Sequence, residues 1–305
     1  MDPNDKPVSI PPQEDLTEVR KPASLLVAQF FLFPLIIIAF GVGIFVLFGS
    51  IAFDQKAPEE YLAEIRAGGG YLFESRRWQA AFELANVIAA EKDELQDSPF
   101  AGELLATYIA ARPPEDAALS DNDWRLRQYL AFSLGELGSR QFVPALVEGL
   151  SDGPAETKIY TLVSLGKIGD PEAAPHAARL LSHEDPGVRM TAAYVLGALQ
   201  NPGTLHDLRI ALNDTAVDVR WNAAMALARM DDRSGADLLI QMTDRAYLAQ
   251  FTEVSEERKN DIIVNAVKCL GLLRLERARE HILLLSERDP SLTVRSAALE
   301  ALEAF

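Results

Sequence analysis

Apolar residues fall into two regimes along this chain. Over 24–53 (SLLVAQFFLFPLIIIAFGVGIFVLFGSIAF) they are almost continuous. From 76 onward they recur three and four residues apart, the spacing that lines one face of a helix. In the clearest stretch, Asp185-Pro186 marks a helix start, with proline suited to the first turn. A helix over 188–199 then places Ala192, Ala193, Val195, Leu196 and Leu199 on one face. Asn201-Pro202-Gly203 is a turn cluster, and a second helix over 204–212 carries Leu205, Leu208, Ile210 and Leu212. The preceding stretch repeats the plan, with Gly169-Asp170-Pro171 as turn and 173–181 as second helix.

The plan recurs at a fixed interval. LRQYLAFSLGELG at 126–138, TKIYTLVSLGKIG at 157–169, VRMTAAYVLGALQ at 188–200 and VRWNAAMALARMD at 219–231 are copies of one phrase. Arg127, Lys158, Arg189 and Arg220 are evenly spaced, and Gly135, Gly166, Gly197 and Ala228 keep the same step. A constant period of this size is the signature of a solenoid of helix pairs. A glycine inside a helix costs about 1 kcal/mol relative to alanine. Its recurrence at one place predicts close approach of the paired helix. Weaker copies extend the array: 77–88 with Arg77 in the basic place and 100–111 as mate, then 260–273 with Gly271 in the glycine place and 277–286 as mate. The step from Ala228 to Gly271 exceeds the period by about 12 residues, which marks an insertion. The last stretch, 294–305, is a lone first helix with Arg295 in the basic place, and reads as a cap.

VRMTAAYVLGAL and SLGKIGDPEAAPHAARLL resemble HEAT-like repeats of the kind found in phycobilisome lyases. The resemblance covers roughly 76–305. It implies an α-solenoid that serves as a protein-interaction platform.

The continuous apolar run exceeds the roughly 20 residues needed to cross a bilayer and holds no charged side chain. Pro34 is tolerable in such a helix. The run is too long, and its preceding region too long and acidic, for a cleaved signal peptide. A single-pass anchor, of a bacterial inner membrane, is therefore expected. Near-flank counting gives Lys6, Arg20 and Lys21 before it against Lys56 and Arg66 after, which favours an exported repeat domain. The tail 1–23 is proline-rich, poor in apolar residues and expected to be disordered. Segment 54–75 is expected to hold a short juxtamembrane helix and a hinge at Gly68-Gly69-Gly70. The expected fold class is thus all-α, an α-solenoid of HEAT-like hairpins over 76–305 preceded by one transmembrane helix.

Charge and chemistry narrow the function. A net charge of -16 argues against nucleic acid, which needs a basic face. The ladder Arg77, Arg127, Lys158, Arg189, Arg220 and Arg295 follows the repeat. Asp121, Asp152, Asp214 and Asp289, with His183 in the same place, stand six residues before its members. That pattern reads as fastening between repeats and capping of helix starts. No metal site is expected: the HEAT-like deoxyhypusine hydroxylases use several His-Glu pairs, and His183-Glu184 is one pair. Cys269 sits at an apolar helix position and reads as buried. No nucleophile elbow or phosphate loop is present, so neither catalysis nor a cofactor is expected.

The insertion 245–259 (RAYLAQFTEVSEERK) breaks the repeat, and insertions often form loops on a binding face. Arg245, Tyr247, Gln250, Phe251 and Glu253 are its candidate partner-binding residues. Alternatively Tyr247, Leu248 and Phe251 extend the preceding second helix into the core. The expected function is a membrane-anchored scaffold or adaptor for a protein partner in a membrane complex. Alternatives are a regulatory subunit of a neighbouring membrane enzyme or transporter, and, less favoured, a chromophore-lyase-like enzyme.

Overall fold

In a computed structural model of the chain, residues 56–67, 74–112 and 120–305 are described. The expected tail 1–23, membrane helix 24–53 and glycine hinge 68–70 lie outside them. Among the described residues, no helix is long and apolar enough to cross a membrane. Residues 57–305 form one compact unit.

The helices are α1 (Pro58–Ala67), α2 (Glu74–Leu95), α3 (Pro99–Ala110), α4 (Asp121–Leu137), α5 (Val143–Gly149), α6 (Ala155–Ile168), α7 (Ala174–Arg179) and α8 (Pro186–Leu199). They continue as α9 (Leu205–Ala211), α10 (Val217–Arg229), α11 (Ala236–Met242), α12 (Arg245–Leu248), α13 (Glu256–Leu272), α14 (Glu276–Arg288) and α15 (Leu292–Leu302). Two layers result. The first helices α2, α4, α6, α8, α10, α13 and α15 pack each on the next. The second helices α3, α5, α7, α9, α11 and α14 pack on the first helix that follows each of them. Leu130, Leu134, Leu162, Leu165, Val195, Leu196 and Leu227 are sealed in the core. Each such aliphatic side chain contributes about 1.5–3 kcal/mol of burial free energy.

Local chemistry sets the ends of these elements. Ser120 and Asp123 form a reciprocal capping box at the start of α4, and the Asp185 carboxylate accepts from the amides of Gly187 and Val188 at α8. Four first helices end at equivalent places on residues with positive φ: Gly138 (75°), Gly169 (72°), Gln200 (50°) and Asp231 (56°). Such a left-handed residue closes a helix, and glycine meets it without a steric penalty. Immediately afterwards Asp170, Asn201 and Asp232 accept from the amide two residues on, starting the tight turn into the second helix.

Two expectations are corrected. The helix expected beside the membrane and apart from the solenoid is α1, and it belongs to the stack. Its Tyr61, Leu62 and Ile65 share one face and enter the common core. Arg66 bonds Thr107 and Glu103 on α3, and Arg77 donates to the Ile65 carbonyl. The amphipathic spacing that makes α1 a helix also supplies the surface that docks it. Second, the recurrent glycines face the next first helix and not their own mate. A Cβ on Gly135 would stand 2.7 Å from the Ser164 Cα, and one on Gly197 would stand 2.8 Å from the Ala226 Cα. At Gly166 and Gly271 the neighbours are Val195 and Ala301. The period thus reports contact between repeats.

Candidate interaction surface

The basic ladder lies at the joints of the first-helix layer. Arg127 is 2% exposed. Its Nη1 donates to the Tyr108 carbonyl at 3.1 Å, its guanidinium lies 4.4 Å from the Tyr108 ring centre, and Nη2 bonds Asp152 at the head of the next unit. Arg189 makes a two-pronged bond to Asp214 at 2.8 and 2.9 Å, and donates back to the His183 and Glu184 carbonyls at 2.9 Å. Lys158 donates to the carbonyls of Asp152 and Gly153, Arg220 to those of Asp214 and Thr215, and Arg295 to that of Asp289. Each of these last three cations, like Arg189, covers carbonyls ahead of its own helix. Arg127 and Arg189 also reach the acid at the head of the following unit. Charge-assisted bonds of this geometry are strong and directional. Hydrogen bonds from Arg189 hold the Asp214 carboxyl below its usual range.

The insertion occupies the head of the fifth regular unit. Asp244 is the counterpart of Asp214, one position short of a full period, and accepts from the Ala246 amide as Asp214 does from Ala216. The helix so begun is α12, and it stops after one turn. The chain restarts at Ser255, whose hydroxyl caps α13 by accepting from the Arg258 amide. The alternative in which Tyr247, Leu248 and Phe251 extend the preceding second helix into the core holds for burial, with Leu248 in the core and Tyr247 and Phe251 packed on it. It is corrected for the helix: α11 ends at Met242, and Asp244 caps a separate turn.

The five candidate partner-binding residues divide. Arg245 turns inward and grips Asp289 with Nε and Nη2 at 2.8 and 2.7 Å, and Nη2 also bonds Asn260. Burial works against charge on Asp289, but hydrogen bonds from Arg245 and the Ser291 amide outweigh it and hold the carboxyl low. Tyr247 and Phe251 are half-buried, packing edge-on to each other at 5.4 Å, with Phe251 at 5.1 Å from Trp221 and the Tyr247 hydroxyl 3.4 Å from the Trp221 Nε1. Gln250 and Glu253 are exposed. Eight residues before Gly271, where a ladder cation would stand, α13 has buried Ile263. Arg245 supplies the missing guanidinium from the insertion.

The remaining candidates are quiet. Cys269 is buried, and desolvation pushes its thiol up to about 11. The His183 Nδ1 accepts from the Asp185 amide, and the His281 Nε2 lies 2.7 Å from the Thr243 hydroxyl. Among the described residues, no group of His, Cys, Asp or Glu could hold a metal ion.

Sequence reasoning passed over a second periodic set, on the outer side of the first-helix layer. Phe132, Val163, Tyr194 and Met225 recur with the same period, three positions before the glycine place. Phe82, five residues after Arg77, continues the row on α2. Phe82 and Tyr194 are exposed, the other three half-buried. The same interval that exposed the glycines would have found them.

The sequence matches the HEAT repeat family over residues 113–182, 143–218 and 177–252. No curated protein matches it. Among solved structures, the complex of CpcE and CpcF of phycocyanin lyase from Nostoc sp. PCC7120 is similar at 19% identity and a TM-score of 0.53, covering 82% of this chain and 94% of that one. An engineered protein is similar at 17% identity and a TM-score of 0.42, covering 81% and 95%. The first of these shows the fold: an all-α solenoid of HEAT repeats.

Proposed function

Taking the HEAT repeats of residues 113–252 as premise, we propose that the chain is a membrane-tethered scaffold that binds another protein within a membrane complex. The observation that carries the reading is the fastening of consecutive first helices. Ladder cations and glycines tie them into one stack of repeated units. Stacked helical repeats of this kind work by presenting extended binding surfaces. The uncharged run 24–53 supports the tether, with the solenoid on the exported side. The reading assigns no catalysis. A chromophore lyase working through a reactive thiol is disfavoured by the burial and raised pKa of Cys269.

Affinity purification of the tagged, detergent-solubilised full chain tests the proposal. A stoichiometric protein partner is expected, and its absence under several detergents would sink the reading. Gln250→Ala with Glu253→Ala asks whether the exposed part of the insertion contributes; removing the whole insertion would also remove Arg245 from Asp289. The regulatory alternative is read from the partner's own activity with and without this chain. Proteolysis in spheroplasts tests orientation, and full protection of the solenoid would place it on the inner side.

A further inference from the structure

The outer side of the first-helix layer carries an apolar stripe of five residues, of which only Met225 packs against the hydrophobic core. Phe82, Phe132, Val163, Tyr194 and Met225 stand on five successive first helices, with Phe82 and Tyr194 47% and 48% exposed. Tyr129 and Tyr160 lie beside them: Tyr129 meets Phe82 edge-on at 5.3 Å and Tyr160 at 5.8 Å, and Tyr160 meets Phe132 at 6.3 Å. On α13 and α15 the equivalent positions are Lys268 and Glu300, so the stripe stops after five helices. The solvent side of a surface helix is ordinarily polar, and a contiguous apolar run there marks an interaction site.

The edge of the stripe is basic. The Arg125 guanidinium lies 5.4 Å from the Trp78 ring, the Lys167 ammonium 4.5 Å from Phe132 and the Arg229 guanidinium 5.5 Å from Tyr194. Lys167 also pairs with Glu136, whereas no ion pair is formed by Arg125 or Arg229 among the described residues. In a chain of net charge -16, cations set against exposed rings invite carboxylates.

We propose that the stripe seats an amphipathic α-helix of a partner protein, apolar on one face and edged with carboxylates. The proposal deepens the scaffold reading and rests on it. Packed helices lie about 8–10 Å apart. Seven residues of helix rise about 10.5 Å, so one residue per heptad would meet each first helix while staying on one face. An extended strand covers that distance in about three residues, an odd step that turns successive contacts to opposite faces. Four intervals between five helices ask for about 21–27 residues of partner helix.

The test uses the full chain in lipid nanodiscs and a fluorescent 28-residue helical probe with Leu at a and d and Glu at e and g. Fluorescence anisotropy is read against empty nanodiscs. Saturable binding is expected, weakened at least tenfold by Lys in place of Glu in the probe or by scrambling it. On the protein, Phe132→Ser with Tyr194→Ser should weaken it at least tenfold. Arg229→Glu, which leaves every stripe ring in place, should weaken it about tenfold, and Ile210→Ser on the second-helix layer should leave it unchanged. The proposal is overturned if the Phe132/Tyr194 variant binds as tightly as the unsubstituted chain. Equal binding of the Lys-edged, scrambled or a proline-rich probe overturns it as well. Purifying the native partner with the same variant separates the two readings. A partner retained by the variant removes the stripe and keeps the scaffold, and no partner for either chain removes both.

Discussion

Gly135 and Gly166 are equivalent residues with different neighbours, and the difference sets the sign of a substitution. A Cβ on Gly135 would meet the backbone of α6 at 2.7 Å, which can yield only by separating two packed helices. Gly135→Ala should therefore lower stability by about 2 kcal/mol, overpacking outweighing the better helix propensity of alanine. At Gly166 the obstacle is a Val195 methyl at 3.2 Å, so Gly166→Ala should fall within about 0.5 kcal/mol of neutral. Urea denaturation of the two variants checks the pair; equal midpoints would refute the contact-based account. The spacing of these glycines was legible in the sequence. Their true neighbour was not, because a period gives the interval between units and not which helix lies across the gap.

At the scale of the element, the insertion shows how a local reading can invert. The sequence points to Arg245 as a partner-binding residue because it lies where the repeat breaks. In the fold it clamps Asp289, whose side chain is 2% exposed. Asp289→Ala leaves that guanidinium only Asn260 and the more distant Glu256, and should cost about 2 kcal/mol. Hydrogen exchange should show the amides of α12 losing protection in the same variant, whereas Gln250→Ala and Glu253→Ala should change stability by less than about 0.5 kcal/mol. Unchanged exchange in α12 would show that the clamp is not what holds the turn. The gap that Arg245 fills was visible in advance, since Ile263 stands where a ladder cation belongs. Its replacement was not, because Arg245 and Asp289 are far apart in sequence and the bond exists only once α12 through α15 have packed.

For the whole molecule, the joints predict a response to acid. Asp214, Asp232 and Asp289 all have carboxyls held below the usual value of 3.8. Groups depressed in the folded state stabilise it fully above their unfolded pKa, and that contribution is lost as pH falls through the lower folded values. The solenoid should therefore keep its stability down to about pH 4 and lose it below. With Arg189→Met and Arg245→Met, the carboxyls of Asp214 and Asp289 rise toward their unfolded value. These chains should therefore be less stable at neutral pH and lose less of that stability as pH falls below about 4. Circular dichroism at stepped pH distinguishes the chains, and coincident curves would exclude the ion pairs as the cause. The two-layer stack from 76 onward was readable because each unit writes its apolar face and turn anew. Inclusion of α1 was not readable, since a short amphipathic helix looks the same beside a membrane as against a neighbour.

The clamps between guanidinium and aspartate do not occur at every joint. They join α4 to α6, α8 to α10 and, through Arg245, the head of α13 to that of α15. Lys158 and Arg220 hold only carbonyls ahead of their own helices. Among the described residues the joint from α6 to α8 therefore lacks a clamp, and that from α10 to α13 has only the exposed pair of Arg258 with Asp218 at 3.9 Å. Mechanically, the solenoid is a spring of alternating stiff and compliant links. A pull along its axis would be taken up first at the joints without a buried clamp, and α4 with α6, and α8 with α10, would each travel as a rigid block.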